Sequence, residues 1–231
     1  MTESPKVLYL DNHLLILEKP AGLLTQETKG NTNSLENWGK RFLQEKTRKP
    51  KVFLQVAHRL DRVASGIVAL ARTSKALSRL HEMFRLKQTK KIYFAWVEKP
   101  FINLGGEYRD YITHESYIAK INATEEPPNA HLSYQVIHEI DSFSLVKIIL
   151  HTGKYHQIRC QFASRGHPIL GDFKYGSQFL LPTGIALHHS EFHYTHPVTK
   201  QPTIITCSPK FLEAEDKYLS LIHISEPTRL G

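Results

Sequence analysis

Apolar residues along the chain fall mostly into short runs with a period close to two, the pattern of β-strands. The run at 7–22 is interrupted at Asp11 and Asn12, so it predicts two strands around a turn, ended by Pro20 and Gly22. The other strand-like runs lie at 52–57, 67–71, 91–97, 131–140, 142–150 and 185–197. The runs before and after Asp141 predict a hairpin.

Three segments instead have helical spacing. The first helix is expected after Ser34 and the second after Thr73 or Ser74, because these residues are good N-caps. The third covers 154–166 and ends at Gly166. The apolar positions expected to face the core are Leu35, Trp38, Phe42, Leu77, Leu80, Phe84, Ile158 and Phe162. Many strands interrupted by few helices predict an α+β fold, a mostly antiparallel mixed sheet with flanking helices and loops.

Charge narrows the class of partner. The 231 residues include 30 Lys and Arg against 22 Asp and Glu, which gives a net charge of +8 and a pI near 9.4. A basic surface concentrates polyanions, so it favours nucleic acid or an acidic membrane surface. No run approaches the roughly 18–20 apolar residues of a membrane span. The polar N-terminus is unlike a signal peptide, and Cys160 and Cys207 are expected to be reduced thiols, so the sequence favours a cytoplasmic protein.

The segment HRLDRVASG places one carboxylate, Asp61, between Arg59 and Arg62 at the start of an apolar run. Two interpretations follow. The carboxylate can form a salt bridge that fixes a turn. It can also be kept ionised by its cationic neighbours and so be available to a reacting centre. The residues of this segment leave both interpretations open.

The residue spacings required for a metal site, a serine nucleophile or a phosphate loop are absent from the sequence. The chain has 14 histidines, of which His188, His189, His193 and His196 lie close together, but they match no HExxH pattern. Ser65 lacks the G-x-S-x-G context of a serine nucleophile, and no glycine-rich phosphate loop is present. We therefore expect no metal site and no cofactor.

Two further segments carry residues suited to RNA. In KKIYFAWV, Tyr93 could stack on a base while Lys90 and Lys91 contact phosphate. In HTGKYHQIRCQFASRG, Arg159 could pair with Asp61 in the folded protein. The remaining candidates for phosphate contacts in that segment are Lys154, His156 and Arg165.

Taken in order, four blocks resemble the RluA family of RNA pseudouridine synthases over residues 7–206. They are HRLDRVASGIVALART, KKIYFAWV, HTGKYHQIRCQFASRGHPILGDFKYG and LHHSEFHYTHPVT. Two positions depart from the family pattern: Ala64 stands before the SG pair, and Lys154 replaces the arginine of TGR. Neither is the acid, so altered local packing or RNA contacts are expected and not lost chemistry.

The resemblance implies a pseudouridine synthase catalytic fold with an active-site cleft across the sheet. It also implies isomerisation of uridines in structured rRNA or tRNA, without cofactor, metal or obligatory protein partner, and a monomer is expected. The compact form without a small N-terminal RNA-binding domain is expected, with the catalytic domain at 1–218. The end, 219–231, resembles the translation of a sequencing adapter and is expected to be a non-native tail.

The resemblance also implies roles for single residues. Asp61 would be the essential carboxylate, Tyr93 would stack on the target uracil, and Arg159 would form an ion pair with Asp61. Arg59 would enter the base stack and replace the extruded nucleotide. The further residues expected to contact RNA are Arg62, Lys90, Lys91, Lys154, His156 and Arg165. A non-catalytic basic RNA-binding protein and a metal-dependent hydrolase remain as alternatives.

Overall fold

A computed structural model gives the fold in two compact units. It describes residues 3–98, 101, 103–124, 126–140 and 142–213. The first unit contains residues 3–92 and 188–207, and the second contains 93–187 and the described residues from 208 onward. The predicted tail lies outside the described residues.

The described residues of the two units form twelve strands and four α-helices. The strands are β1 (Lys6–Leu10), β2 (Leu14–Lys19), β3 (Gln55–Val56), β4 (Ser65–Ala71), β5 (Lys90–Glu98), β6 (Gly105–Asp110), β7 (Ile112–Glu115), β8 (Ile118–Ile121), β9 (Ala130–Ile140), β10 (Phe143–Leu150), β11 (Leu187–Thr195) and β12 (Pro202–Thr206). The helices are α1 (Leu35–Thr47), α2 (Ser74–Arg85), α3 (Gln157–Ala163) and α4 (Lys210–Glu213), and a 3-10 turn covers Phe173–Tyr175.

In the first unit the strand order is β1-β2-β4-β11, with β12 paired to β11 and β3 paired to β4. All of these pairs are antiparallel except β4 with β11, which is parallel. The mixed, mostly antiparallel sheet predicted from the sequence is therefore confirmed. Helix α2 begins where the Thr73 hydroxyl accepts the Ala76 N–H at 3.1 Å. The core of this unit contains Leu14, Ile16, Ala57, Ile67, Ala69, Ala71, Ala76, Leu80, Met83, Phe192 and Tyr194.

In the second unit the strand order is β5-β10-β9-β6, while β7 and β8 form a separate two-stranded hairpin. The predicted hairpin is β9 and β10, with Phe143 opposite Ile140. Helix α3 is short but buried over residues 157–162, and the backbone turns at Gly166, where φ is +82°. An all-round buried helix of seven residues is stabilised by its surroundings and not by its own propensity.

Some sequence expectations needed correction. The predicted strand at 52–57 shrinks to β3, because only Gln55 and Val56 pair with β4. The N-cap of α1 is Ser34, as predicted. The buried residues of this helix include Leu35 and Leu43. Strands β6, β7, β8 and β12 were not predicted, because segments such as GGEYRD show little apolar alternation.

Gly66 explains why the SG pair precedes β4. Its φ of +114° disfavours any side chain, and a Cβ there would lie 2.5 Å from the backbone nitrogen of His189 and closer still to its carbonyl oxygen. The close approach arises because Gly66 pairs with His189 in the parallel β4–β11 contact. A residue with a side chain would therefore push β11 away from the loop that carries Asp61.

We predict that Gly66→Ala lowers the free energy of unfolding by about 3 kcal/mol, from backbone strain plus overlap with β11. Gly30→Ala is the matched control, because Gly30 has a similar φ of +88° but a Cβ added there would meet nothing within 4 Å. That control is expected to cost only about 1 kcal/mol. Chemical denaturation of both variants measures the difference; equal losses would show that the contact with His189 has no cost.

Candidate active site

Asp61 lies in the loop between β3 and β4, and its two neighbours in the chain are fixed by buried side chains. The Thr25 hydroxyl donates to the Leu60 carbonyl at 2.8 Å and accepts the Leu60 N–H at 3.2 Å. Thr25 is only 4% exposed. The Ala64 N–H donates to the carbonyl of Asp61 at 3.2 Å. The backbone that carries the carboxylate is therefore held on both sides of Asp61.

Lys19 supplies a second constraint on the same loop. Its side chain is fully buried, and Nζ donates to the carbonyls of Pro20, Leu23 and Arg62 at 2.9, 2.9 and 3.2 Å. Burial lowers the pKa of Lys19 to about 7, while the charge of Asp61 raises it. Three carbonyl acceptors match the three N–H donors of an ammonium group, so the geometry favours the charged form. Lys19 thus places a cation beside the loop of Asp61.

The two arginines of HRLDR have different surroundings. Arg62 is exposed, yet its Nε donates to the Gly22 carbonyl at 3.0 Å. The Gly22 N–H returns a bond to the Arg62 carbonyl at 2.8 Å. Arg62 therefore joins the loop of Gly22 to the loop of Asp61. Because its Nε is already bonded within the protein, fewer of its donors are available to RNA than the sequence suggested. Arg59 is exposed, as a side chain that enters an RNA helix must be.

The lysines at the start of β5 also differ. Lys91 is partly buried, its Nζ lies 5.4 Å from the centre of the Phe84 ring, and burial lowers its pKa. Lys90 is exposed and lines an open surface groove together with Lys87 and His193. Of the two, Lys90 is the better placed to meet a phosphate.

In the second unit, Tyr93 is 5% exposed on β5 and Arg159 is 4% exposed on α3. Arg159 forms a bidentate ion pair with Asp172: Nε lies 2.6 Å from Oδ2 and Nη2 lies 2.8 Å from Oδ1. The Arg159 guanidinium also lies 4.9 Å from the centre of the Tyr175 ring. Asp172 is itself 2% exposed. The orientation of Arg159 is therefore fixed by a buried carboxylate and an aromatic ring.

The other cations of this segment differ in how exposed their side chains are. His156 is buried at the start of α3, and its Nδ1 lies 2.9 Å from the Tyr175 hydroxyl. This position lends no support to the predicted phosphate contact of His156. Arg165 pairs with Asp110 at 2.9 Å and lies over the Tyr108 ring at 4.0 Å, yet remains partly exposed. Lys154 is exposed.

The clustered histidines of the fourth block point to different partners. His189 Nδ1 lies 2.6 Å from the Ile67 carbonyl oxygen, and His193 lies 3.0 Å from Glu191. His196 contacts Asp11 at 2.9 Å, and its Nδ1 accepts backbone N–H groups of the turn that follows. These three histidines share no metal site among the residues that the structure describes. The one group there whose ligand atoms are close enough to hold an ion is Glu18, His188 and Cys207.

The structure thus places Asp61, Arg59 and Arg62 on one loop of the first unit, and Tyr93 and Arg159 in the second. The predicted ion pair between Asp61 and Arg159 stays a prediction. Sequence reasoning missed four residues that position these groups: Lys19, Thr25, Asp172 and Tyr175. Asp172 and Tyr175 lie within the third block, in GDFKYG. The only sign of Lys19 in the sequence was its place in a charged pair, Glu18 and Lys19, after an apolar run.

Within the described part of the chain, no helix has the length and apolar character needed to cross a membrane.

Comparison with known proteins identifies the family. A model described as RNA pseudouridylate synthase matches residues 13–164. The chain is 32% identical to "Ribosomal large subunit pseudouridine synthase C" of Vibrio vulnificus, over 85% of this chain and 63% of that protein. It is also 32% identical to "Uncharacterized RNA pseudouridine synthase YhcT" of Bacillus subtilis, over 84% of this chain and 65% of that protein. The chain therefore spans less than two thirds of the length of these curated relatives.

The fold agrees. The structure of "Human RNA Pseudouridylate Synthase Domain Containing 4" superimposes with a TM-score of 0.75 at 20% identity, covering 93% of this chain and 92% of that one. The family match spans the loop of Asp61, strand β5 and all of α3, which are the elements that carry the three candidate catalytic residues. On this match and this fold, the chain belongs to the RNA pseudouridylate synthase family.

Proposed function

We propose that the chain is an RNA pseudouridine synthase that uses Asp61 to isomerise uridines in structured RNA to pseudouridine. The observation that carries this proposal is the fixed loop of Asp61, whose neighbours are tied to buried Thr25 and Lys19. A reaction at a sugar carbon needs a carboxylate held in one position, and this loop supplies it.

In the proposed reaction the bond between uracil N1 and C1′ of the ribose breaks, and C5 of the uracil then bonds to C1′. The C5 hydrogen leaves as a proton, and N1 gains one, so the product is an isomer of the substrate. Asp61 either attacks C1′ to give a covalent intermediate or removes a proton from the sugar. Both routes need an ionised carboxylate.

Tyr93 and Arg159 have supporting roles in the proposal. Tyr93 would stack on the target uracil and help to remove the C5 proton. Arg159 would form an ion pair with Asp61 and so orient its carboxylate. Its fixed position, set by Asp172 and Tyr175, suits a group that must not move during the reaction.

The target nucleotide must leave the base stack before C1′ is accessible. Arg59 would fill the space that it leaves. Exposed Lys90 and Lys154, together with the partly exposed Arg165, would contact phosphates. Because such contacts are screened by salt, RNA affinity is expected to fall as ionic strength rises.

Large-subunit ribosomal RNA is the first class of substrate to test, because the Vibrio vulnificus relative is named for it. Transfer RNA is the second class. We expect no cofactor and no obligatory protein partner for this reaction, since an isomerisation has no second substrate. A monomer in the cytoplasm is the expected working form.

Mapping pseudouridines with carbodiimide in total RNA tests this proposal. RNA from cells with the gene, without it, and carrying Asp61→Asn in its place is compared. We predict at least one uridine modified only in cells with the unaltered gene. Identical maps from all three strains would contradict the proposal, provided that the unaltered protein is present in the cell extract.

A further inference from the structure

Glu18, His188 and Cys207 lie together in the first unit, in a place that the proposed reaction does not use. Glu18 is on β2, His188 is on β11, and Cys207 follows β12. One ligand atom from each lies within 4.8 Å of the others. Strands β2 and β11 both pair with β4, which brings Glu18 and His188 near to each other. The Cys207 N–H donates to the Ser190 carbonyl at 2.8 Å, which fixes the backbone of Cys207 beside β11.

The imidazole of His188 is the second observation. His188 is 2% exposed. Its Nε2 is buried and makes no hydrogen bond of ordinary distance and angle with the described residues, although the backbone of Cys207 approaches the ring. Its Nδ1 lies 2.8 Å from the Ser65 hydroxyl oxygen. A buried polar atom that lacks a partner is costly, so such atoms call for a ligand or a reason. Because Nδ1 is engaged by Ser65, Nε2 is the nitrogen of His188 that is left to meet a ligand.

From this geometry we propose that Glu18, His188 and Cys207 bind one Zn²⁺ ion. A thiolate, an imidazole and a carboxylate are all ordinary zinc ligands, and the fourth position would take water. Metal–ligand distances of about 2.0–2.3 Å place ligand atoms about 3.3–3.8 Å apart in a tetrahedron. Ligand atoms that lie up to 4.8 Å apart must therefore close by up to about 1.5 Å.

The contact of His188 with Ser65 fits this site. When Nε2 binds a metal, Nδ1 carries the proton and donates it to an acceptor, which fixes the tautomer and the ring orientation. The Ser65 hydroxyl is placed to be that acceptor. Ser65 also belongs to the HRLDRVASG segment, so the ion would connect β2, β11 and β12 to the loop of Asp61. The role of the ion is structural. The proposed site differs from the sequence analysis, which expected no metal site.

Zinc binding to the purified, metal-free protein tests the proposal. We expect one Zn²⁺ per chain, a higher melting temperature with zinc, and, with Co²⁺ as a probe, the thiolate charge-transfer band and the visible bands of a tetrahedral site. Cys207→Ser is expected to weaken Zn²⁺ binding by at least about 100-fold and to remove the charge-transfer band. Ser65→Ala, which leaves all three ligands in place, should weaken it by about 10–100-fold.

Two control variants show whether zinc binds at this site or at another thiol or histidine of the chain. Cys160→Ser removes the thiol of the second unit, and His193→Gln removes a histidine from the same strand as His188; both should bind zinc like the wild type. Circular dichroism of metal-free Cys207→Ser verifies its fold, and His188→Gln is a second ligand variant if that protein does not fold. The proposal is overturned if the wild type binds no stoichiometric zinc, or if folded ligand variants bind it as tightly as the wild type.

Discussion

Replacing Asp61 with asparagine is expected to lower pseudouridine formation by at least about a thousandfold while RNA affinity changes little. The amide has nearly the shape of the carboxylate, so the loop held by Thr25 and Lys19 should keep its structure. It cannot act as a nucleophile at C1′ or as a base toward the sugar. The substitution therefore removes the reacting group and leaves unchanged the cations that are proposed to contact phosphate.

The measurement combines single-turnover pseudouridine formation with filter binding of the same RNA. Glu27→Gln is the control, because it removes one carboxylate charge from an exposed position in the same unit. It should leave both quantities at wild-type values. If Asp61→Asn formed product at the wild-type rate, the essential role of the carboxylate would be refuted. If the wild type bound RNA without ever forming product, a non-catalytic RNA-binding protein would explain the basic surface instead.

Asp172→Asn is expected to have the second largest effect, a loss of about 3–5 kcal/mol in the free energy of unfolding. Asp172 and Arg159 are 2% and 4% exposed, so the substitution removes the carboxylate that neutralises a buried guanidinium. Turnover by the folded fraction should also fall by about tenfold to a hundredfold, because Arg159 loses the contact that orients it. Chemical denaturation and single-turnover rates measure the two effects separately.

A second ion pair of the same unit provides the comparison. Glu107 and Arg109 lie 2.8 Å apart, but their side chains are 51% and 58% exposed. Glu107→Gln is therefore expected to lower the free energy of unfolding far less than Asp172→Asn does and to leave turnover unchanged. Equal losses of stability from Asp172→Asn and Glu107→Gln would contradict a special role for the buried pair.

The sequence predicted the elements whose signals are local. The turn at Asp11 and Asn12, the N-caps Ser34 and Thr73, and the hairpin of β9 and β10 each depend on residues that are neighbours in the chain. Hydrophobic alternation and capping chemistry determine such features almost without tertiary contacts. Asp61 was found in a different way, through the resemblance of its contiguous block to the family, and its catalytic role stays a prediction.

Hydrophobic alternation and capping could not predict the residues that contact the candidate site. Thr25 meets Leu60 across 35 positions of sequence, and Asp172 meets Arg159 from beyond the end of α3. Lys19 has the sequence context of a charged strand end, whereas its side chain is fully buried against three carbonyls. A buried charge cannot be distinguished from an exposed one by its sequence neighbours, since its stabilising partners are brought to it only by folding.

The most direct test follows the hydrogen at C5 of uracil, which the proposed reaction replaces with the bond to C1′. Purified protein is incubated with RNA carrying tritium at that carbon, and released tritium is compared with pseudouridine in the digested RNA. We predict equal amounts of both from the wild type and from Glu27→Gln, and neither from Asp61→Asn. Tritium release and pseudouridine from Asp61→Asn at wild-type rates would contradict the account.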